Sequence, residues 1–178
     1  MCGGFNGWNI PIHTLNNGLH DYAVVYVNGK QIGTLDRRLD QSTVTLPSGL
    51  RDKAVLDILV ENTGRINYSN AILTERIGIT GKVLLDTTEV RKWQMFSLPM
   101  QYLSRFRFSP GECTGPCFFR MTMNVPRPAD TFLDTRRLHK GQLWMGTHDL
   151  GRFWSIGPQC TLYTPDRGSV SGQPHHLV

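Results

Sequence analysis

The chain lacks any apolar run of about 18 residues, the length needed to span a bilayer, so no membrane helix is expected. No segment sustains a 3.6-residue apolar period over three turns, which argues against a helical fold. A concentrated positive face is missing too. Nineteen Lys plus Arg against 14 Asp plus Glu leave a net +5, yet the densest basic stretch, Arg105-Phe106-Arg107, holds only two. Neither nucleic acid nor a membrane is expected as a partner, because phosphate binding needs clustered charge.

Cysteine is scarce. Cys2, Cys113, Cys117 and Cys160 are too few to build a disulfide scaffold over 178 residues. The close pair in Cys113-Thr114-Gly115-Pro116-Cys117 has no second pair and no nearby His to complete four zinc ligands. It reads as a local disulfide or as two free thiols, and no metal or other cofactor is expected. The start, Met1 to Trp8, has neither the basic residues nor the apolar core of a secretory signal. The compartment is left unknown; the Asn67-Tyr68-Ser69 sequon matters only on a secretory route.

Several catalytic patterns are also missing. There is no G-x-S-x-G elbow, no G-x-x-x-x-G-K-[ST] or G-x-G-x-x-G loop, and no His near Cys113 or Cys117 in sequence. Hydrolysis by two carboxylates needs a pair held about 5 to 9 Å apart, but Asp52, Asp57 and Glu61 fall at turns or on outward strand faces, and no pair stands out. No catalytic residue is assigned.

What is present is β pattern, punctuated by 18 Gly and 10 Pro. Tyr22 to Val27 and Gln31 to Leu35 flank Asn28-Gly29, a strong hairpin signal, since a type I′ turn needs positive φ at both central residues. Further strands are expected at Ser42 to Leu46, Ala54 to Glu61, Ile77 to Leu85 and Trp93 to Leu98. In the second of these, Leu56, Ile58 and Val60 share one face. The loop from Asn62 to Asn70 is polar, with a turn at Thr63-Gly64. Pro99 to Pro116 reads as a linker. Beyond it, Phe119, Met121, Met123 and Val125 alternate with polar residues across Cys117 to Val125, as on a strand with one solvated face. Short strands follow at Thr131 to Asp134, Gln142 to Met145, Leu150 to Trp154 and Cys160 to Tyr163. Asp166 to Val178, with its His175-His176 pair, is expected to be a disordered tail.

Sliding the chain by 118 residues lays Tyr26 on Trp144, Ile32 on Leu150, Gly33 on Gly151 and Leu35 on Phe153. One hairpin pattern thus occurs twice, which favours two related sandwiches over one. The remaining chemical signal is aromatic. Tyr26, Trp93 and Trp144 lie inside strand patterns, where rings usually fill core, and Trp8 is a further ring. Trp154, with Arg152 and His148, is the better surface candidate for stacking against a sugar.

Leu19-His20-Asp21-Tyr22 through Asn28-Gly29, Glu61-Asn62-Thr63-Gly64-Arg65-Ile66-Asn67-Tyr68, Gly141-Gln142-Leu143-Trp144 and Leu150-Gly151-Arg152-Phe153-Trp154 together resemble the C-terminal β-domains of family 35 glycoside hydrolases, the β-galactosidases. The likeness covers about residues 18 to 164. It implies an all-β fold of two tandem jelly-roll, galactose-binding-domain-like β-sandwiches that follow a catalytic (β/α)8 barrel. The expected limits are an unmatched segment 1–17, a first sandwich 18–98, a linker 99–116, a second, incomplete sandwich 117–165 and a tail 166–178.

In such a family two barrel glutamates cleave terminal β-D-galactosides; nothing in this sequence matches the barrel, and Glu61 and Glu75 are not given that role. The implied function is an accessory portion that braces the barrel and is inactive alone. The alternative is a galactoside-binding module without hydrolysis, with His148, Arg152 and Trp154 as candidate sugar contacts. Met145-Gly146-Thr147 departs from the family's Val-Asn-Gly turn, which puts the tightness of the second hairpin in doubt. The unmatched ends suggest a fragment. A sandwich without its closing strand leaves a backbone edge open, so self-association through exposed edges is expected, as is a less stable second sandwich.

Overall fold

The structure, a computed structural model, describes residues 11–14, 18–50, 53–123, 127, 129–166 and 175–177. Cys2, Trp8, Asp52 and Val125 lie outside them. The described residues hold β-strands and three short 3-10 turns but no α-helix. The chain divides into two units, residues 1–96 and 97–178.

In the first unit, strand β1 is Pro11–Thr14, β2 Leu19–His20, β3 Tyr22–Val27, β4 Lys30–Asp36, β5 Thr43–Thr45, β6 Leu56–Glu61, β7 Gly78–Ile79, β8 Val83–Leu85 and β9 Thr88–Glu89. They form a sheet ordered β4-β3-β6, a sheet ordered β5-β1-β8-β9 and the pair β2-β7. The middle strand β3 carries Ala23, Val25 and Val27 into a core with Leu35, and Ile12, Val44 and Val83 enter the same core from the second sheet. Burying each such side chain stabilises by about 1.5–3 kcal/mol. The fold reaches further toward the N-terminus than the expected limit at residue 18, because β1 runs between β5 and β8. Four residues with little alternation give no strand signal until their partners are known.

The second unit has β10 at Met121–Met123, β11 at Thr131–Asp134, β12 at Lys140–Met145, β13 at His148–Trp154, β14 at Thr161–Thr164 and β15 at His175–Leu177. These make a sheet ordered β10-β15-β12-β13 and the pair β11-β14. Within the stretch read as a tail, β15 pairs with β10 from Met121↔Leu177 to Met123↔His175.

The two hairpins share the same bulge and register but differ in turn type. Asn28 and Gly29 have φ of 51° and 75°, as a type I′ turn requires. Val25 pairs with Gly33 and Tyr26 with Gln31, so Ile32 is an extra, bulged residue. In the second unit Leu143 pairs with Gly151 and Trp144 with Asp149, bulging Leu150, again 118 residues on. The Arg37 N–H donates to the Asp21 carbonyl at 2.9 Å, and the Ser155 N–H to the His139 carbonyl at 2.8 Å. The doubt over the second turn is settled: Met145 pairs with His148 around two residues, and Gly146, with φ 61°, supplies the positive φ that a Gly-first turn needs.

Three expectations are corrected. Trp93 to Leu98 is not a strand, since no neighbouring strand pairs with it; the Trp93 indole N–H instead donates locally to the Val90 carbonyl at 3.1 Å, and the ring is exposed rather than core. The strand expected from Cys117 is confined, among the described residues, to Met121–Met123. Cys117 is tied to Cys113 by a disulfide, and Phe118 stacks on Phe106 with centroids 4.4 Å apart, so the chain before Met121 is held in a local loop. Phe119 and Met121, expected to face inward, are exposed.

Among the described residues the clusters differ in size: nine buried residues in the first unit, and in the second Leu143 and Leu162, flanked by half-buried residues such as Met123, Leu133 and Phe153. Stability rises with buried apolar area, so the second unit should open first. In hydrogen exchange on the full chain, amides of Leu143 and Leu162 should lose protection before those of Val25 and Leu35; the reverse order would refute this.

Candidate functional site

Three polar arrangements stand out. The first clamps the first unit. Arg37 lies just after β4, where Asp36 caps the 3-10 turn Arg37–Leu39. The Arg37 Nη1 donates to Asp21 Oδ1 at 3.0 Å and to Glu75 Oε1 at 2.9 Å, and the Glu75 side chain is only 8% exposed. His20 Nδ1 sits 3.5 Å from the same Glu75 oxygen and 2.5 Å from the Arg76 carbonyl, and the Thr63 hydroxyl donates to Asp21 Oδ2. Both carboxylates raise the pKa of the Arg37 guanidinium, through hydrogen bonds to Glu75 and then Asp21. Two acids sharing one guanidinium fix loops to a strand end. They are not arranged as an acid and a nucleophile across a scissile bond.

The second arrangement contains the sequence candidates. Arg152 and Trp154 are two apart on β13 and share a face, opposite Gln142 and Lys140 of β12. Lys140 Nζ lies over the Trp154 ring at 4.5 Å from its centroid, a cation–π contact that occupies one ring face. Gln142 Nε2 donates to Asp149 Oδ1 at 2.5 Å. His148 pairs with Met145 beyond the bulge, and Met145 packs on the core with Leu143. The structure thus brings Arg152 and Trp154 together and sets His148 on the other face.

The third arrangement was not singled out from the sequence. On β11 and β14, Leu133 and Leu162 point into the core, so their neighbours Phe132 and Tyr163 point out as a directly opposed pair. Their ring centroids are 5.5 Å apart with planes tilted by 57°. The Tyr163 hydroxyl donates to Asp130 Oδ2 at 2.8 Å, and the Asp166 N–H donates to Asp130 Oδ1 at 2.7 Å. These bonds lower the Asp130 pKa, the Asp166 N–H contributing most, while the bond to Asp130 raises that of the Tyr163 phenol. Two residues beyond Phe132, Asp134 accepts from Arg136 Nε at 3.0 Å and from Nη2 at 2.5 Å. Alternation Asp130-x-Phe132-x-Asp134 was legible; its pairing with Tyr163 was not. Among the described residues no three His, Cys, Asp or Glu side chains group as metal ligands.

Among the described residues the fold is a pair of non-helical β-units. Residues 7–99 match the β-galactosidase first all-beta domain, and residues 116–167 match the β-galactosidase galactose-binding domain. The chain belongs to the family 35 β-galactosidases through these β-domains. It is 42% identical over 148 residues to a β-galactosidase of Xanthomonas manihotis, covering 82% of this chain and 24% of that protein. It is 36% identical over 166 residues to β-galactosidase-1-like protein 2 of Homo sapiens, covering 89% and 26%, and 32% identical over 191 residues to a β-galactosidase of Bos taurus, covering 94% and 29%. The chain therefore spans only about a quarter of the length of these relatives.

Two outcomes follow from this geometry. Arg37→Met should destabilise the first unit by about 1–3 kcal/mol, between the values for exposed and fully buried pairs, because it strands the Glu75 carboxylate. Adding Glu75→Leu should restore much of that loss in urea melts, and simple additivity of the two changes would refute the clamp. The Arg136 side chain, then its backbone N–H, pulls the Asp134 carboxyl down to about 2. Its folded pKa lies below the ordinary value, so its contribution is present above about pH 4 and lost as pH falls through about 2. Arg136→Ala should return the Asp134 carbon titration, followed by NMR, toward 3.8; an unmoved midpoint would refute the assignment.

Proposed function

We propose that the chain serves as the accessory β-portion of a β-galactosidase, bracing a catalytic barrel that cleaves terminal β-D-galactosides, and is inactive by itself. One observation carries this reading. At the end of the first unit Met95 is 91% exposed and Phe96 is 83% exposed, in a stretch that no strand pairs with. Adjacent large apolar side chains so exposed support a contact with another protein surface. The occupant that fits is the catalytic portion of such an enzyme, because the relatives carry roughly three-quarters of their length outside the matched region. The exposed loop 62–70, which carries the Asn67-Tyr68 block, supports the same role.

A second reading, a module that holds galactosides without cleaving them, is favoured by the match of residues 116–167 to a galactose-binding domain and by the shared face of Arg152 and Trp154. His148, on the other face, would take part only from the strand end.

The bracing role is tested by purifying the chain with the unmatched portion of the Xanthomonas manihotis relative. The two should co-purify, and Met95→Asp with Phe96→Asp should abolish co-purification while leaving the melting temperature of the chain unchanged. Turnover of a chromogenic β-galactoside by the chain alone, or failure of the wild-type pair to associate, would overturn this reading.

A further inference from the structure

We propose that the outward face of β11 and β14 is a galactoside-binding platform, in which Phe132 and Tyr163 stack against the sugar and Asp130 and the Asp134–Arg136 pair hold its hydroxyls. The proposal rests on the galactoside-binding reading for the class of ligand, and it moves the contact from Trp154 to a different side of the second unit.

Phe132 and Tyr163 are 64% and 49% exposed although they oppose each other on neighbouring strands. Two such rings cannot turn inward, because the alternation of β14 puts Leu162 into the core beside Gly151, where an added Cβ on Gly151 would lie 3.8 Å from Leu162 Cδ2. A ring pair kept in water is energetically unfavourable unless something dry covers it. Galactose has a dry side. Its axial O4 leaves the hydrogens on C3, C4, C5 and C6 as one continuous apolar patch on the opposite face, and rings tilted by 57° form a shallow trough for that patch.

The polar groups stand where the rim of a stacked pyranose would lie. Asp130, Phe132 and Asp134 are spaced by two and so share the outward side of the β11 strand line, acids at each end and the ring between. Asp130 is fixed by the Tyr163 hydroxyl and the Asp166 N–H. Each of its oxygens thereby accepts one bond and retains capacity for a second, which suits a sugar hydroxyl as donor. At the far end Arg136 binds Asp134 through Nε and Nη2, leaving the geometry of its Nη1 directed by the same rigid fork. A mixed donor and acceptor rim around stacked rings suits a neutral polyol. It does not suit a phosphate, which two carboxylates would repel, or a plain apolar protein contact, in which the carboxylates would be desolvated.

By contrast, Lys140 covers one face of the Trp154 indole, and Arg152 and Trp154 lie on the side of the β12–β13 hairpin away from Phe153 and the core that β14 packs on. The two surfaces are therefore separable by mutation.

The test is a titration of the full chain with lactose, followed by NMR chemical shifts. Wild-type protein should show saturable shifts. Phe132→Ala should weaken lactose binding by about tenfold or more, as expected for loss of a stacking ring. Tyr163→Phe, which keeps the ring but frees Asp130, should weaken it by about two- to fivefold. Trp154→Ala should bind as wild type, and cellobiose, whose equatorial O4 interrupts the apolar patch, should bind less well than lactose. Because Phe132 and Tyr163 are exposed, melting temperatures should be unchanged. Saturable binding lost on Trp154→Ala but kept on Phe132→Ala would overturn the platform while leaving the galactoside-binding reading standing. No saturable binding of lactose to the wild-type chain would overturn both.

Discussion

The first unit depends on one close contact, between Val44 of β5 and Gly33 in the second strand of the bulged hairpin. An added Cβ at Gly33 would lie 2.9 Å from Val44 Cγ1, closer than real side chains come, so β5 can lie against β4 only because residue 33 has no side chain. In the second unit Leu162 of β14 faces Gly151 of β13, 118 residues on, at ordinary packing distance, and there it is the positive φ of 113° that calls for glycine. The bulge beside each glycine, at Ile32 and at Leu150, re-aims the strand so that this missing side chain faces the crossing strand. Much follows from the contact. With Leu162 turned in, strand alternation turns Tyr163 out, and the register of β11 then turns Phe132 out beside it.

The same offset shows where the two units diverge. Arg37 and Ser155 occupy equivalent places after their hairpins, and each donates its backbone N–H to the equivalent carbonyl, that of Asp21 or His139. The side chains differ. In the first unit Arg37 reaches Asp21 and Glu75, so a charged clamp secures the loops around β2 and residues 63 to 76. In the second, Ser155 Oγ meets His139 Nδ1 at 3.3 Å, with no carboxylate–guanidinium pair at that place among the described residues. Charge-assisted bonds to a nearly buried carboxylate hold distant segments together more firmly than one hydroxyl–imidazole bond. The smaller cluster and the weaker contact therefore act in the same direction, leaving the second unit with less to hold it closed.

What could be read from the sequence was what is local. Asn28-Gly29, the two-residue alternation of Leu56, Ile58 and Val60, and the hairpin repeat each depend on neighbours within about a dozen residues, and the structure carries all three. The polar turn at Thr63-Gly64 is likewise local: the Gly64 N–H donates to Asn62 Oδ1 at 2.9 Å. The partners of Arg37 were not legible, because Glu75 lies 38 residues away and reaches it only through the closure of β2 on β7. Alternation misled at Phe119 and Met121, since a period of two shows that a strand has two faces but not that either is covered. It failed in the opposite sense at Phe132, a ring passed over although its neighbours Asp130 and Asp134 were in plain view. Pairing with Tyr163 is a tertiary fact, and without it Phe132 is one aromatic residue in a four-residue strand.

Two of the exposed apolar surfaces among the described residues differ in chemistry. At the end of the first unit Met95 and Phe96 follow one another along a backbone with no ladder of its own. Such a pair gains little from a small polar ligand, which would leave most of it wet, and gains more from a broad apolar partner. The Phe132–Tyr163 pair is the opposite case: two rigid rings on paired strands, bounded by a carboxylate held from two directions and by a carboxylate–guanidinium fork. A broad apolar partner would have to desolvate those charges at several kcal/mol each, whereas a single sugar can cover the rings and replace the displaced water with its own hydroxyls. The ring pair therefore suits a sugar better than a broad protein contact, and it shares no residue with Met95 and Phe96.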